Sequence, residues 1–125
     1  MQRFCLTLTM HSDDATIDAY ADRHRSVPPA ILQSQRDAGV IRMDIFRDGP
    51  RMIMLMETTD DFTFERKAAM DRNNPAVMQW EAEMAKYQGA GAYADASGKW
   101  LPLPQIFNLT DQLAAMDAVA TPSSF

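Results

Sequence analysis

The segment "VIRMDIFRDGPRMIMLMETTDD", residues 40 to 61, restricts the fold more than any other part of the chain. Asp48-Gly49 is the strongest turn signal in the sequence and separates two β-rich runs, so the segment reads as a hairpin. Its second arm, Met52 to Met56, is apolar at every position. An extended chain points successive side chains to opposite faces, so this strand demands cover on both sides of its sheet.

The remaining elements follow from period and punctuation. "QRFCLTLTM" alternates, with Phe4, Leu6, Leu8 and Met10 on one face and Arg3, Cys5, Thr7 and Thr9 on the other, as a strand does. "SDDATIDAYADRH" is helical in composition, capped by Ser12 or Asp13, with acidic residues in the first turn where the helix dipole favours them. Pro28 and Pro29 break or restart that helix, which then runs through "AILQSQRDA" to a stop at Gly39. Beyond the hairpin a helix starts near Thr59 to Asp61, carries "FTFERKAAMDR" and ends before "NNP". Pro75 opens the next one, in which Val77, Trp80, Met84 and Tyr87 mark one apolar face. After the loop "GAGAYADASGK", "WLPLPQIFNL" supplies a last strand, and the tail from Thr110 holds a short helix around Leu113 and Met116 before "TPSSF".

The order is β-α-β-β-α-β, which predicts an α+β chain with a ferredoxin-like antiparallel sheet over residues 1–109 and a tail over 110–125. Helices in that arrangement cover one sheet face only. A second copy is the economical cover for the other, so a homodimer is expected.

Bulk properties narrow the function. The 125 residues suit one domain, and 12 Lys and Arg against 17 Asp and Glu, with no basic run longer than two, exclude a phosphate-tracking surface. The expected partners include no nucleic acid. Cys5 has no second thiol and reads as a small core residue in a reducing compartment. No segment approaches the roughly 20 apolar residues that span a bilayer, so no membrane partner is expected and the protein should be soluble and cytoplasmic.

Two places hold candidate chemistry. Tyr20 and His24 are one helical turn apart and share a face, just before the double proline. By itself a histidine between Arg23 and Arg25 reads as a surface residue; the forced helix break is what sets it apart. Trp80 beside Glu81 reads most simply as part of the apolar stripe with a solvated border carboxylate, yet an aromatic face with an adjacent acceptor also suits a sugar. His11 receives no role. The two histidines and one cysteine, at positions 5, 11 and 24, lack metal-ligand spacing, Asp13-Asp14 and Asp60-Asp61 read as helix caps, and no phosphate loop or nucleophile elbow occurs.

Taken together, Y-x-x-x-H (Tyr20, His24) before a proline pair, "GVIRMDIF", "MLMETTDDF", "NPAVMQWEAEM" and "KWLPLPQIFNL" resemble the L-rhamnose mutarotase family over residues 1 to about 109. The resemblance implies a ferredoxin-like homodimer packed sheet to sheet, a dimeric α/β barrel, that interconverts the α and β anomers of a 6-deoxy-L-hexose without a cofactor. It also implies that His24 is the proton donor and that Tyr20 and Trp80 bind the sugar. Rhamnose-type members have a second tryptophan where this chain has Glu81, a strand tyrosine where it has Met43, and a tryptophan and a glutamate where it has Pro28 and Ala30. The W-E pairing, "MDIF" and "DDFTFERKAA" are more similar to the L-fucose-associated branch. Glu81 and Met43 are accordingly expected to contact substrate, Glu81 either as the partner base, a role open also to water, or as an acceptor for hydroxyls, and Met43 through the 6-methyl group.

Anomers exchange through the open aldehyde, which requires one acid at the ring oxygen and one base at the C1 hydroxyl. An imidazole can serve near neutral pH. Two rivals stand beside this reading: a non-catalytic dimeric ferredoxin-like module that binds a small ligand, and a cofactor-free monooxygenase-like enzyme on the same fold.

Overall fold

The computed structural model describes residues 1–88 and 100–120. The loop at 89–99 and the terminal "TPSSF" read from the sequence lie outside the described residues. Four strands, β1 (Gln2–Thr9), β2 (Val40–Asp48), β3 (Arg51–Thr58) and β4 (Leu101–Leu103), form one sheet in the order β2-β3-β1-β4. Every neighbouring pair is antiparallel. Helices α1 (Asp14–Arg23), α2 (Pro29–Asp37), α3 (Phe64–Arg72) and α4 (Pro75–Gln88) fill the crossovers, and α5 (Leu109–Ala120) follows β4. This is the ferredoxin-like α+β order expected from the sequence, with the second crossover split at Asn73-Asn74-Pro75.

The sheet register explains why the strands are patterned as they are. On β1, Leu6 and Leu8 are buried; they pair with Met54 and Met52 of β3. Met56 completes the buried row, and Ile17 and Tyr20 of α1 with Met84 of α4 close over it. Burying side chains of this size stabilises the fold by about 1.5–3 kcal/mol each. The alternate residues of β3 face away from the helices: Ile53 is half-buried and Leu55 is 45 % exposed. Phe46, the β2 partner of Ile53, and Leu103, reached from Leu55 through Cys5, extend the same open apolar face. Cys5 thus lies on the open face, half-buried, and not in the core beneath the helices as its neighbours in sequence had implied.

Other boundaries moved for local reasons. Helix α3 starts at Phe64, later than Thr59 to Asp61, because the Thr63 hydroxyl accepts from the Arg66 amide and caps it. Asp60 and Asp61 are therefore not caps. Asp60 pairs with the amino terminus, while Asp61 accepts from the Thr59 hydroxyl and pairs with Arg66, contacts that hold the Asp61 carboxyl below the usual carboxylate range. Asp13, by contrast, is the cap of α1, and hydrogen bonding from Thr16, first its side chain and then its amide, lowers the Asp13 pKa. The last strand is only Leu101 to Leu103, and α5 runs longer than the short tail helix expected. Leu109, Leu113, Met116 and Val119 of α5 are all exposed.

Gly39 ends the α2 region with φ +100°, and its carbonyl accepts from the Thr59 amide at 2.9 Å. A Cβ there would meet Thr59 Oγ1 at 2.7 Å. Gly39→Ala is therefore expected to cost about 1–3 kcal/mol, from backbone strain and the clash together. Urea unfolding should show a lower midpoint at unchanged slope.

Candidate active site

The site begins where α1 is forced to stop. A proline disfavours helical backbone in the residue before it, and Val27, ahead of Pro28, is extended at φ −73° and ψ 133°. Between the end of α1 and Val27 the chain tightens into a single 3₁₀ turn, His24–Ser26, so His24 stands at the very end of the helix. There its Nδ1 lies 2.8 Å from the Tyr20 carbonyl. A carbonyl oxygen only accepts, so Nδ1 carries the hydrogen and Nε2 is the ring atom left to exchange protons.

Aromatic packing fixes the imidazole further. The Tyr20 ring is 4.4 Å from it and is itself buried against Leu8, Ile17, Met52 and Met84. Trp80 on α4 meets it edge to face at 5.5 Å. The guanidinium carbon of Arg23 lies 4.8 Å from the Trp80 ring, a cation–π contact. Arg23 in turn donates to Glu83 at 2.6 Å and to the Ser26 carbonyl at 3.1 Å. The hydrogen bond to Glu83 raises the Arg23 pKa further above its ordinary value. The histidine, the tryptophan and the turn between them are thus tied by one arginine.

All of this borders a cleft of about 1330 Å³ between the sheet and the helical layer. Each residue singled out from sequence lines it: Tyr20, His24, Met43, Trp80 and Glu81. Their settings differ. Tyr20 is buried, His24, Trp80 and Met43 are half-buried, and Glu81 is exposed at the rim. Met43 lies beside Met56, its partner on β3, and with Met54 they put three methionines on the cleft floor. Pro28 and Ala30 do not line the cleft. His11 is exposed and away from it.

Three features of the site escaped the sequence. The Arg23–Glu83 pair joins residues on separate helices, for which the sequence carries no signal. Gln35 on α2 lines the cleft, and its Oε1 is buried without a hydrogen-bond partner. Lys67 and Asp71, one turn apart on α3, form a 2.7 Å ion pair in the cleft wall with side chains only 17 % and 12 % exposed. Their i, i+4 spacing was visible, but such a pair reads as a solvated helix face until the face turned to the cleft is known.

Among the described residues no three His, Cys, Asp or Glu side chains converge to hold a metal ion, and no helix is long and apolar enough to cross a membrane.

Comparison with known proteins agrees with this geometry. A solved structure of an L-rhamnose mutarotase from Formosa agariphila superposes with a TM-score of 0.63 at 20 % identity, over 87 % of this chain and 99 % of that one. Tetracenomycin F2 cyclase from Streptomyces glaucescens, a type-II polyketide cyclase, superposes at 0.52 with 18 % identity over 86 % and 98 %. At such identities these likenesses establish the fold alone. In sequence the chain is 35 % identical over 122 residues to an L-fucose mutarotase of Xanthomonas campestris pv. campestris, covering 96 % of this chain and 98 % of that protein. The profile of the L-rhamnose mutarotase family matches residues 3–109. On this evidence the chain belongs to the L-rhamnose mutarotase family, a family of carbohydrate-isomerising enzymes.

Proposed function

We propose that the protein interconverts the α and β anomers of a 6-deoxy-L-hexose, L-fucose or L-rhamnose, by acid/base ring opening without a cofactor. The observation that carries this reading is the His24 imidazole at the cleft, oriented through Nδ1 by the Tyr20 carbonyl and held between the Tyr20 and Trp80 rings. His24 in its protonated form gives the Nε2 proton to the ring oxygen as the C1–O5 bond breaks. A base removes the C1 hydroxyl proton in the same step, leaving the open aldehyde. Rotation about C1–C2 presents the other carbonyl face, and ring closure returns each proton to its donor. Positioned proton transfer of this kind contributes about 10²–10⁴-fold.

The other residues bind. Trp80 stacks on the apolar face of the sugar, on the side of its ring away from Arg23. Tyr20 supports the imidazole, Met43 and the methionine floor receive the 6-methyl group, and Glu81 at the rim accepts from hydroxyls. The 35 % identity to an L-fucose mutarotase favours L-fucose as substrate. Residues 1–109 form the mutarotase domain, a division supported by the family match to residues 3–109, and 110–125 are an added tail in the cytoplasmic protein. Two copies pack through the open face that carries Phe46, Leu55 and Leu103 to make the dimeric barrel.

Saturation-transfer NMR reads anomer exchange directly, since the reaction has no net product. The wild-type protein is expected to accelerate exchange of L-fucose above that of L-rhamnose and well above that of D-sugars. Saturable L-fucose binding with exchange at the uncatalysed rate would instead establish a binding module.

A further inference from the structure

The cleft wall formed by α3 combines two things that stability alone does not explain. Met43, Met56, Phe64 and Val77 line the cleft with apolar groups, yet Lys67 and Asp71 place a mostly buried ion pair in its wall. Desolvating both charges offsets most of their attraction, and replacing such pairs with apolar residues is often neutral or stabilising. The pair is also incompletely used. Lys67 Nζ has three donors, and its contact to Asp71 Oδ2 takes one. Asp71 Oδ1 has no hydrogen-bond partner among the described residues and keeps some exposed surface, although Asp71 as a whole is 9 % exposed.

We propose that Lys67 and Asp71 bind two neighbouring hydroxyls of the sugar. Lys67 donates to one hydroxyl oxygen and Asp71 Oδ1 accepts from the next. The Arg66 contact to the Ala38 carbonyl, 3.2 Å, ties the start of α3 to the end of α2 and fixes the wall that presents the pair. This assignment rests on the mutarotase reading and adds to it the groups that hold sugar hydroxyls, opposite in character to the methionines of the cleft floor.

The test compares the wild type with a double variant, Lys67→Met with Asp71→Leu, which removes both charges together so that neither is stranded. KM and kcat for anomer exchange are measured with L-fucose, L-rhamnose and the 2-, 3- and 4-deoxy analogues of L-fucose. Hydrogen bonds to charged groups predict a rise in L-fucose KM of about 10- to 100-fold in the variant. The wild type should lose a similar factor when the one or two contacted hydroxyls are missing, and the variant should lose nothing more for those analogues. Should the apolar double variant not fold, Lys67→Gln with Asp71→Asn keeps both shapes and is put through the same panel. A penalty that is equal for every analogue, or absent, overturns the assignment while leaving the mutarotase reading in place. Wild-type protein that leaves L-fucose exchange uncatalysed overturns the mutarotase reading, and the assignment falls with it.

Discussion

Replacing His24 by alanine is expected to lower the catalysed exchange of L-fucose anomers by about 10²–10⁴-fold, the range that a positioned general acid supplies. The protein should remain folded. His24 is half-buried, lies at a helix end and in a single 3₁₀ turn, and is absent from both core clusters, so its removal opens no cavity among buried side chains. Circular dichroism and thermal unfolding close to those of the wild type, with exchange lost in saturation-transfer NMR, is the outcome that assigns the proton to His24. An unchanged exchange rate in a folded variant removes the role from His24. The opposite distribution is expected of Tyr20, whose ring is 2 % exposed in the main core; its truncation should cost stability before chemistry can be read.

Leu55→Arg is expected to convert the protein from the mass of two chains to one chain of 14.1 kDa in sedimentation equilibrium. Leu55 stands in the middle strand pair of the open face, between Cys5 on β1 and Asp44 on β2. In one chain it is 45 % exposed, beside Phe46 at 56 % and Leu103 at 43 %, an apolar row of the kind that marks an interface. An arginine placed there is tolerated by the separate chain, where it reaches water and Asp44, and in a two-fold packing it is buried against its own symmetry mate. A wild type that sediments as a single chain, or a variant that stays dimeric, defeats sheet-to-sheet assembly.

Much of this architecture was legible because it depends on local rules. The alternation of β1, the all-apolar run of β3, the glycine turn between β2 and β3 and the proline at the start of α4 each act within a few residues, and each appears where it was read. The start of α3 differs because two caps compete in "TTDDFT": Thr63 takes the cap, while Asp61 pairs with Arg66 and Asp60 with the amino terminus, which only the folded chain brings near. Cys5 was misassigned for a similar reason. Apolar neighbours on both sides say nothing about which face of a strand the helices cover.

The site divides along the same line. Tyr20 and His24 share one helical turn, and Trp80 with Glu81 are adjacent in sequence, so their spacing survives into the fold, and the motifs they belong to identified the family before any coordinates. What spacing cannot express is the meeting of α1 with α4, which puts Trp80 against His24 and Arg23 against Glu83 across some sixty residues of chain. Nor can it say that α3 turns Lys67 and Asp71 inward while leaving Glu65 and Arg66 outside the cleft, since a helix rotated by one residue would look the same in sequence. The chain by itself determined the order of elements, the two-sided strand and the imidazole at the helix break, because these rest on backbone period and proline geometry. Tertiary structure decided which side chains meet in the cleft and which sheet face lies open, because both depend on how the helices dock onto the sheet.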